Sequence, residues 1–369
     1  MNDKFNIENE DNMEKEKKSK IKKILVNLTI FILLIILTFS LVLKDQDVSQ
    51  IFSVAAKVKK QYILFAVLAM SIYILGEAVN ITRILKELGE KSKLISNIRY
   101  TLIGFFFSAI TPAASGGQPM EIYYMHKDDI SVANSTLALL MQLCSLQIVT
   151  ITVGTISAVI HFEVLKSGLI YLLILGIILN SSALMLLIIA IFSKKLSEGL
   201  IKFAVKLLKF FRIPNVEKKQ EKLEKELESY QTSAKYIKEH KILMLKTVIT
   251  TVVQMIAYYS VPYWIYLAFG LTGYNIFEIL TLQAVLYATV SGIPSPGAVG
   301  VSEGGFLGIF KNVFPETIIS SAMLLTRGAN FYLFIIISAI IVMISTFREK
   351  RIEKKQMQET EVLTEKSEK

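Results

Sequence analysis

Cysteine is almost absent from this sequence. Cys144 stands alone in 369 residues, so no intramolecular disulfide can form. Histidine occurs only at His126, His161 and His240, far apart and without the spacing of a metal site. A zinc centre and a Cys–His nucleophile are therefore unsupported, and no metal, cofactor or catalytic residue is expected. No secretory leader is expected. The first apolar run, 24–43, is too long for one, and no small-residue cleavage site follows it.

What is present is apolar. Hydrophobic residues make up 53% of the chain, and the mean hydropathy is +0.50. These residues come in blocks of the roughly 20 needed to cross a bilayer. The chain therefore reads as an all-α polytopic membrane protein. Its net charge of +10 would suggest nucleic acid in a soluble protein. Here it marks cytoplasmic loops beside anionic lipid heads, and no nucleic-acid binding is expected from this chain alone.

Six uninterrupted spans are predicted, at 24–43, 62–81, 132–160, 168–192, 242–269 and 318–347. Two further apolar regions, 98–124 and 277–314, are broken by proline and glycine. The positive-inside rule decides whether these cross. If both turn back, segments 1–23, 82–99, 126–131, 193–241 and 348–369 share one side and hold 7, 5, 1, 13 and 7 lysines and arginines. The opposite segments, 44–61, 161–167, 270–275 and 315–322, hold 4, 1, 0 and 0. A full crossing at 98–124 would move the 13 basic residues of 193–241 outside. The predicted architecture is thus six spans plus two oppositely oriented re-entrant hairpins, resembling an inverted repeat. A charged tail, 1–23, precedes a membrane half, 24–192. A cytoplasmic insert, 193–241, leads to a second half, 242–347, and a second charged tail, 348–369. Both termini are expected in the cytoplasm, with the chain in the plasma membrane.

The breaks resemble each other. "SAITPAASGGQPME" begins at Ser108 and "SGIPSPGAVGVSE" at Ser291. Each opens Ser-small-Ile, and each has a proline nine residues before a glutamate: Pro112 before Glu121, and Pro294 before Glu303. Backbone groups unpaired at membrane depth cost several kcal/mol each. Such breaks persist where protein, water or a ligand satisfies them. Pro119 suits the first turn of a short helix 120–125, and Ser302 suits the N-cap of a helix 303–314. Both N-termini would then face the membrane interior, where a phosphate or carboxylate can bind. The alternative is that the breaks only pack the bundle.

Ionisable residues inside membranes are costly, which singles out Glu77, Glu121, Glu303 and Arg327. Glu303 and Arg327 could form a structural ion pair, or Arg327 could hold a lipid phosphate. A glutamate could hold an ammonium head or exchange a proton. For Glu77 the plainer alternative is snorkelling with Arg83. Gln118, Gln142, Gln147, Gln254 and Gln283 read as interhelical hydrogen-bond partners. The candidate substrate-binding set is Glu77, Pro112, Gly116, Gly117, Glu121, Pro294, Pro296, Gly297, Gly300, Glu303 and Arg327.

In the insert, Leu196, Leu200, Phe203, Leu207 and Phe210 share a face flanked by lysines, predicting a basic amphipathic helix on the inner leaflet. Beyond Pro214, residues Val216, Gln220, Leu223, Leu227, Tyr230, Ala234 and Ile237 form a short heptad seam. Residues 216–237 could pair two protomers as a homodimer, or lie against another cytoplasmic surface of the same chain.

The segments "TPAASGGQPMEIYYM" and "PSPGAVGVSEGG" resemble the signatures of the lysylphosphatidylglycerol synthase transmembrane family. The resemblance covers 20–347. The second segment is the more specific, through Pro-x-Pro-Gly, Gly-Val-x-Glu and an arginine one helix later, Arg327. The family includes the flippase portion of the multiple peptide resistance factor. The resemblance therefore implies a lipid translocase or lipid-binding transporter, aminoacylated phosphatidylglycerol as one cargo, membrane phospholipids as partners, and a link to antibiotic resistance. The family label alone would imply a phosphatidylglycerol lysyltransferase. That reaction uses a soluble acyltransferase domain, and only 22 residues follow Phe347. Lysyl transfer is thus expected only with a separate acyltransferase protein. A small-anion or proton-coupled transporter remains a third reading of the broken helices.

Overall fold

The computed structural model describes residues 53–111, 114–162, 169–193, 216–293 and 295–348, with Thr29, Ile32, Leu33, Lys195, Gly199, Lys202 and Lys206. The predicted span 24–43, the amphipathic helix, both tails, Pro112 and Pro294 lie outside the described residues or are only touched by these single positions. All secondary structure among the described residues is helical. Five helical runs are long and apolar enough to cross a membrane: Lys60–Glu87, Val132–Ile160, Ile170–Ile189, Lys241–Ala268 and Glu316–Arg348. They correspond to five of the six predicted spans.

Helix α1 (Lys60–Glu87) pairs along its length with α7 (Lys241–Ala268). The pair is antiparallel. The Lys59 N–H donates to the Ala268 carbonyl at one end (3.0 Å). Arg83 Nη1 donates to the Lys246 carbonyl (3.0 Å) at the other. Midway, Gly76 lies against Gln254, where an added Cβ would come within 2.8 Å of the Gln254 Cβ. Lipid tails are as apolar as leucine, so burial does not drive helix association; close packing and interhelical hydrogen bonds do. Asn80 supplies the latter, donating from Nδ2 to Gln142 Oε1 (2.8 Å) and Thr251 Oγ1 (3.0 Å). Gln142 in turn donates to Gln254 Oε1 (3.3 Å). Two of the predicted interhelical glutamines thus do that work.

This antiparallel pair sets the direction of the two broken regions. Helix α2 (Leu94–Ile110) starts at the end where α1 finishes, past Gly89 with φ +83°. Helix α8 (Ile276–Val290) starts at the opposite end, where α7 finishes, past Gly270 with φ +76°. At 1.5 Å per residue they reach only about 25 Å and 22 Å, short of the roughly 30 Å hydrocarbon core. Each then turns back. Helix α3 (Gly117–Lys127) returns along α2, with Gly117 against Ser108 and Glu121 against Gly104. Helix α9 (Val301–Ile309) returns along α8, with Gly305 against Leu286. Two hairpins therefore enter the bundle from opposite ends. A long helix follows each one: α4 (Val132–Ile160), and α10 (Glu316–Arg327), which runs on through a π-helical turn, Gly328–Tyr332.

Each hairpin has its own core. Tyr100, Ile103, Phe107, Met125 and Leu137 bury the first; Ile279, Leu282, Phe306, Phe310 and Phe314 bury the second. Helix α5 (Leu169–Phe192) closes the bundle on α8, where Gly176 meets the Ala288 carbonyl. Helix α6 (Val216–Glu239) carries the predicted seam. Ala234 and Ile237 are buried in the same core as Leu243 and Ile191, and Ser233 Oγ donates to Asn134 Oδ1 (2.7 Å). The C-terminal half of the seam therefore lies on its own chain.

Candidate functional site

Because both hairpins stop short, their tips meet inside the bundle and leave two cavities there. They share Tyr73, Phe105, Ser108, Ala114, Tyr287 and Ser291 in their walls. The larger, about 670 Å³, lies between α1, α2, α3, α4, α5 and α8. The smaller, about 280 Å³, lies at the second tip beside α7 and α10.

Two carboxylates line the larger cavity, Glu77 from α1 and Glu121 from α3. Glu121 is 3% exposed, and its Oε2 has no hydrogen-bond partner. The cavity-lining Thr101 Oγ1 and Gln147 Oε1 are buried without a partner too. Each such group loses water without replacement, a cost of order kcal/mol that a bound polar ligand would relieve. Glycine makes the carboxylate's position. A Cβ on Gly104 would sit 1.9 Å from Glu121 Oε1, and one on Gly117 would sit 2.0 Å from Ser108 Oγ. Gly104→Ala is therefore expected to push the Glu121 carboxylate out of its slot. Stability should fall by no more than about 1–3 kcal/mol, since the obstacle is a side-chain tip. The cost should be read as a lowered unfolding temperature of the detergent-solubilised protein. An unfolding temperature unchanged from wild type would show that the carboxylate does not fill this slot.

At the second tip the charge is already paired. Arg327 Nε donates to Glu303 Oε1 (2.8 Å), and Glu303 is fully buried at 0% exposure. Tyr332 also donates to Oε1 (3.2 Å), while Oε2 accepts the Gly300 N–H (2.7 Å). Arg327 Nη2 donates to the Gly297 carbonyl (3.0 Å). The guanidinium lies 4.0 Å from the Phe331 ring centroid, an attractive cation–π geometry. Gly297 has φ +59°, and a Cβ there would meet Phe331 at 2.2 Å. Arg327 thus ties the turn Pro296–Ala298 to α9 and α10, and it also lines the smaller cavity.

This arrangement corrects three expectations. The second returning helix starts at Val301, not Glu303, and its N-cap is Gly300, not Ser302. Gly300 adopts φ +87°, which favours glycine, and the Glu303 side chain caps its N–H. The first returning helix runs Gly117–Lys127, longer than 120–125, with Pro119 in its first turn. Arg83 does not attend Glu77. It bonds Asn80 Oδ1, the Lys246 carbonyl and Thr250 Oγ1, leaving Glu77 on the cavity wall.

The family model described as lysylphosphatidylglycerol synthase TM region matches residues 24–338. The chain belongs to this family. No curated protein matches it. In this lysylphosphatidylglycerol synthase TM region, the predicted residues fall into two groups. Glu77 and Glu121 come together on the larger cavity. Gly297, Gly300, Glu303 and Arg327 come together at the second tip, with Pro296 opening its turn. Gly116 and Gly117 form the turn into α3, where the Gly116 N–H donates to Thr111 Oγ1 (2.9 Å). Sequence reasoning missed the tyrosines at the junction of the cavities. Tyr73 and Tyr258 have ring centroids 5.2 Å apart, and Tyr258 and Tyr287 5.3 Å. A phenol in the middle of an apolar span is the signal that marks them. Asn180 was missed as well; it bonds the Ala288 carbonyl and Ser291 Oγ and ties α5 to the second tip.

Proposed function

We propose that this chain is a lipid-binding transporter, flippase-like, that moves a phospholipid head group across the plasma membrane through the junction of the two hairpins. The observation that carries this reading is the pair of adjoining cavities between hairpins entering from opposite ends, a layout in which one site can be reached from either side in turn. The larger cavity is of ligand-site size and presents unpartnered buried oxygens. The N-terminus of α3 lies at the first tip, where first-turn N–H groups lack intrahelical partners and favour a phosphate. Family membership supports a lipid as cargo, with aminoacylated phosphatidylglycerol the first to test and antibiotic resistance the phenotype to examine. The basic-residue bias supports cytoplasmic termini.

Native mass spectrometry of the purified protein should show a retained phospholipid. Proteoliposomes containing it should redistribute that lipid between leaflets faster than empty vesicles. Protein free of lipid, with no gain in redistribution, would overturn the reading. Synthesis of lysyl-phosphatidylglycerol from lysyl-tRNA by the purified chain would instead make it an enzyme.

A further inference from the structure

The two glutamates on the returning arms of the hairpins have opposite surroundings. Glu303 brings its own cation: Arg327 bonds it, and a tyrosine and a backbone N–H complete its shell. Glu121 has none of this. Counting the same 24 residues onward from Glu121 reaches Ser145, whose hydroxyl bonds Thr251 instead. No lysine, arginine or histidine lines the larger cavity among the described residues. The titratable groups facing it are Tyr73 and Glu77 from α1, Glu121 from α3 and Tyr287 from α8; α2, α4 and α5 contribute none. Glu77 and Glu121 line the same cavity from neighbouring elements.

Two carboxylates sharing one cavity at membrane depth disfavour double ionisation when no counter-charge is near. Among the described residues nothing lining the cavity supplies a counter-charge, and an incoming cationic ligand would bring one. We propose that the Glu77–Glu121 pair is an exchange site holding one proton when the transporter is empty, and that this proton leaves when an ammonium group of the cargo enters. The balance is simple. One carboxylic acid gives its proton to water, the resulting carboxylate pairs with the incoming R–NH₃⁺, and the site's charge is the same before and after. Thr101 Oγ1 from α2 and Gln147 Oε1 from α4, both without partners, also line the cavity and can accept the remaining ammonium hydrogens. The role of Arg327 follows from the contrast: the second tip is internally neutral and stays so through the cycle, while the first trades its positive charge. This inference rests on the lipid-transport reading and adds the coupling ion and the head-group class to it.

The test is calorimetric proton counting on purified detergent-solubilised protein, in two buffers of different ionisation enthalpy. The probes are dihexanoyl phosphatidylethanolamine, which carries an ammonium, and dihexanoyl phosphatidylglycerol, which does not. The ethanolamine lipid should release one proton per molecule bound. Its affinity should rise about tenfold per pH unit wherever the empty pair holds its proton. The glycerol lipid should release none. Glu121→Gln and Glu77→Gln should each remove the proton release and the pH slope. Binding of the ethanolamine lipid by wild-type protein with no proton release overturns the exchange while leaving lipid transport standing. Failure of both lipids to bind overturns the two readings together. The wild-type measurement decides the matter even if a variant fails to fold.

Discussion

Arg327→Ala should cost about 3–5 kcal/mol of stability and abolish lipid movement. The cost comes from what is left behind. Glu303 is wholly buried, and the substitution strands its charge with only a tyrosine hydroxyl and one backbone N–H. The Gly297 carbonyl loses its partner too, so the left-handed turn Pro296–Ala298 loses its tie to α10. Arg327→Lys should recover part of this. A single ammonium cannot reproduce the two separate bonds that Nε and Nη2 make to Glu303 and Gly297. The informative companion is Glu303→Leu with Arg327→Met. Replacing a buried ion pair with apolar residues of similar volume is often neutral or stabilising. The double variant should therefore regain thermal stability in detergent without regaining lipid redistribution in proteoliposomes. Recovery of both would reduce the pair to packing.

Gly176→Ala comes next in size. A Cβ there would lie 2.3 Å from the Ala288 carbonyl oxygen and 2.9 Å from the Thr289 Cα. Unlike the side-chain tip that faces Gly104, this obstacle is backbone and cannot rotate away. Helices α5 and α8 must separate along their contact. Gly154 of α4 packs on the same Ala288, where a Cβ would come within 2.5 Å, so this stretch of α8 is held closely by two helices at once. Overpacking of this kind costs about 1–3 kcal/mol and sometimes more. The displaced end of α8 carries Ser291, which Asn180 holds, so the second tip should shift with it. The expected result is a lowered unfolding temperature together with lost lipid retention. A variant with wild-type stability and retention would show that α5 is not fixed against the hairpin.

Five of the six predicted spans, the two breaks and their opposite entry were legible in the sequence because the bilayer imposes them. Hydrocarbon thickness sets helix length, unpaired backbone is intolerable in lipid, and basic residues stay on one side. Each of these constraints leaves a local mark: an apolar run, a Pro-Gly cluster, a charge count. The cost of ionisable groups in lipid likewise marks Glu77, Glu121, Glu303 and Arg327. It does not say which of them are paired. That depends on how helices far apart in sequence slide against one another. Glu303 meets Arg327 across two elements, whereas Arg83 turns to α7 and leaves Glu77 on the cavity wall. The cap at Gly300 and the meeting of Tyr73, Tyr258 and Tyr287 are of the same kind. The sequence by itself determined that two hairpins carry buried charge into the membrane. Only the tertiary structure decided that one tip is neutralised from within while the other meets no cation among the described residues, because neutrality is settled by contacts between helices and no local pattern records them.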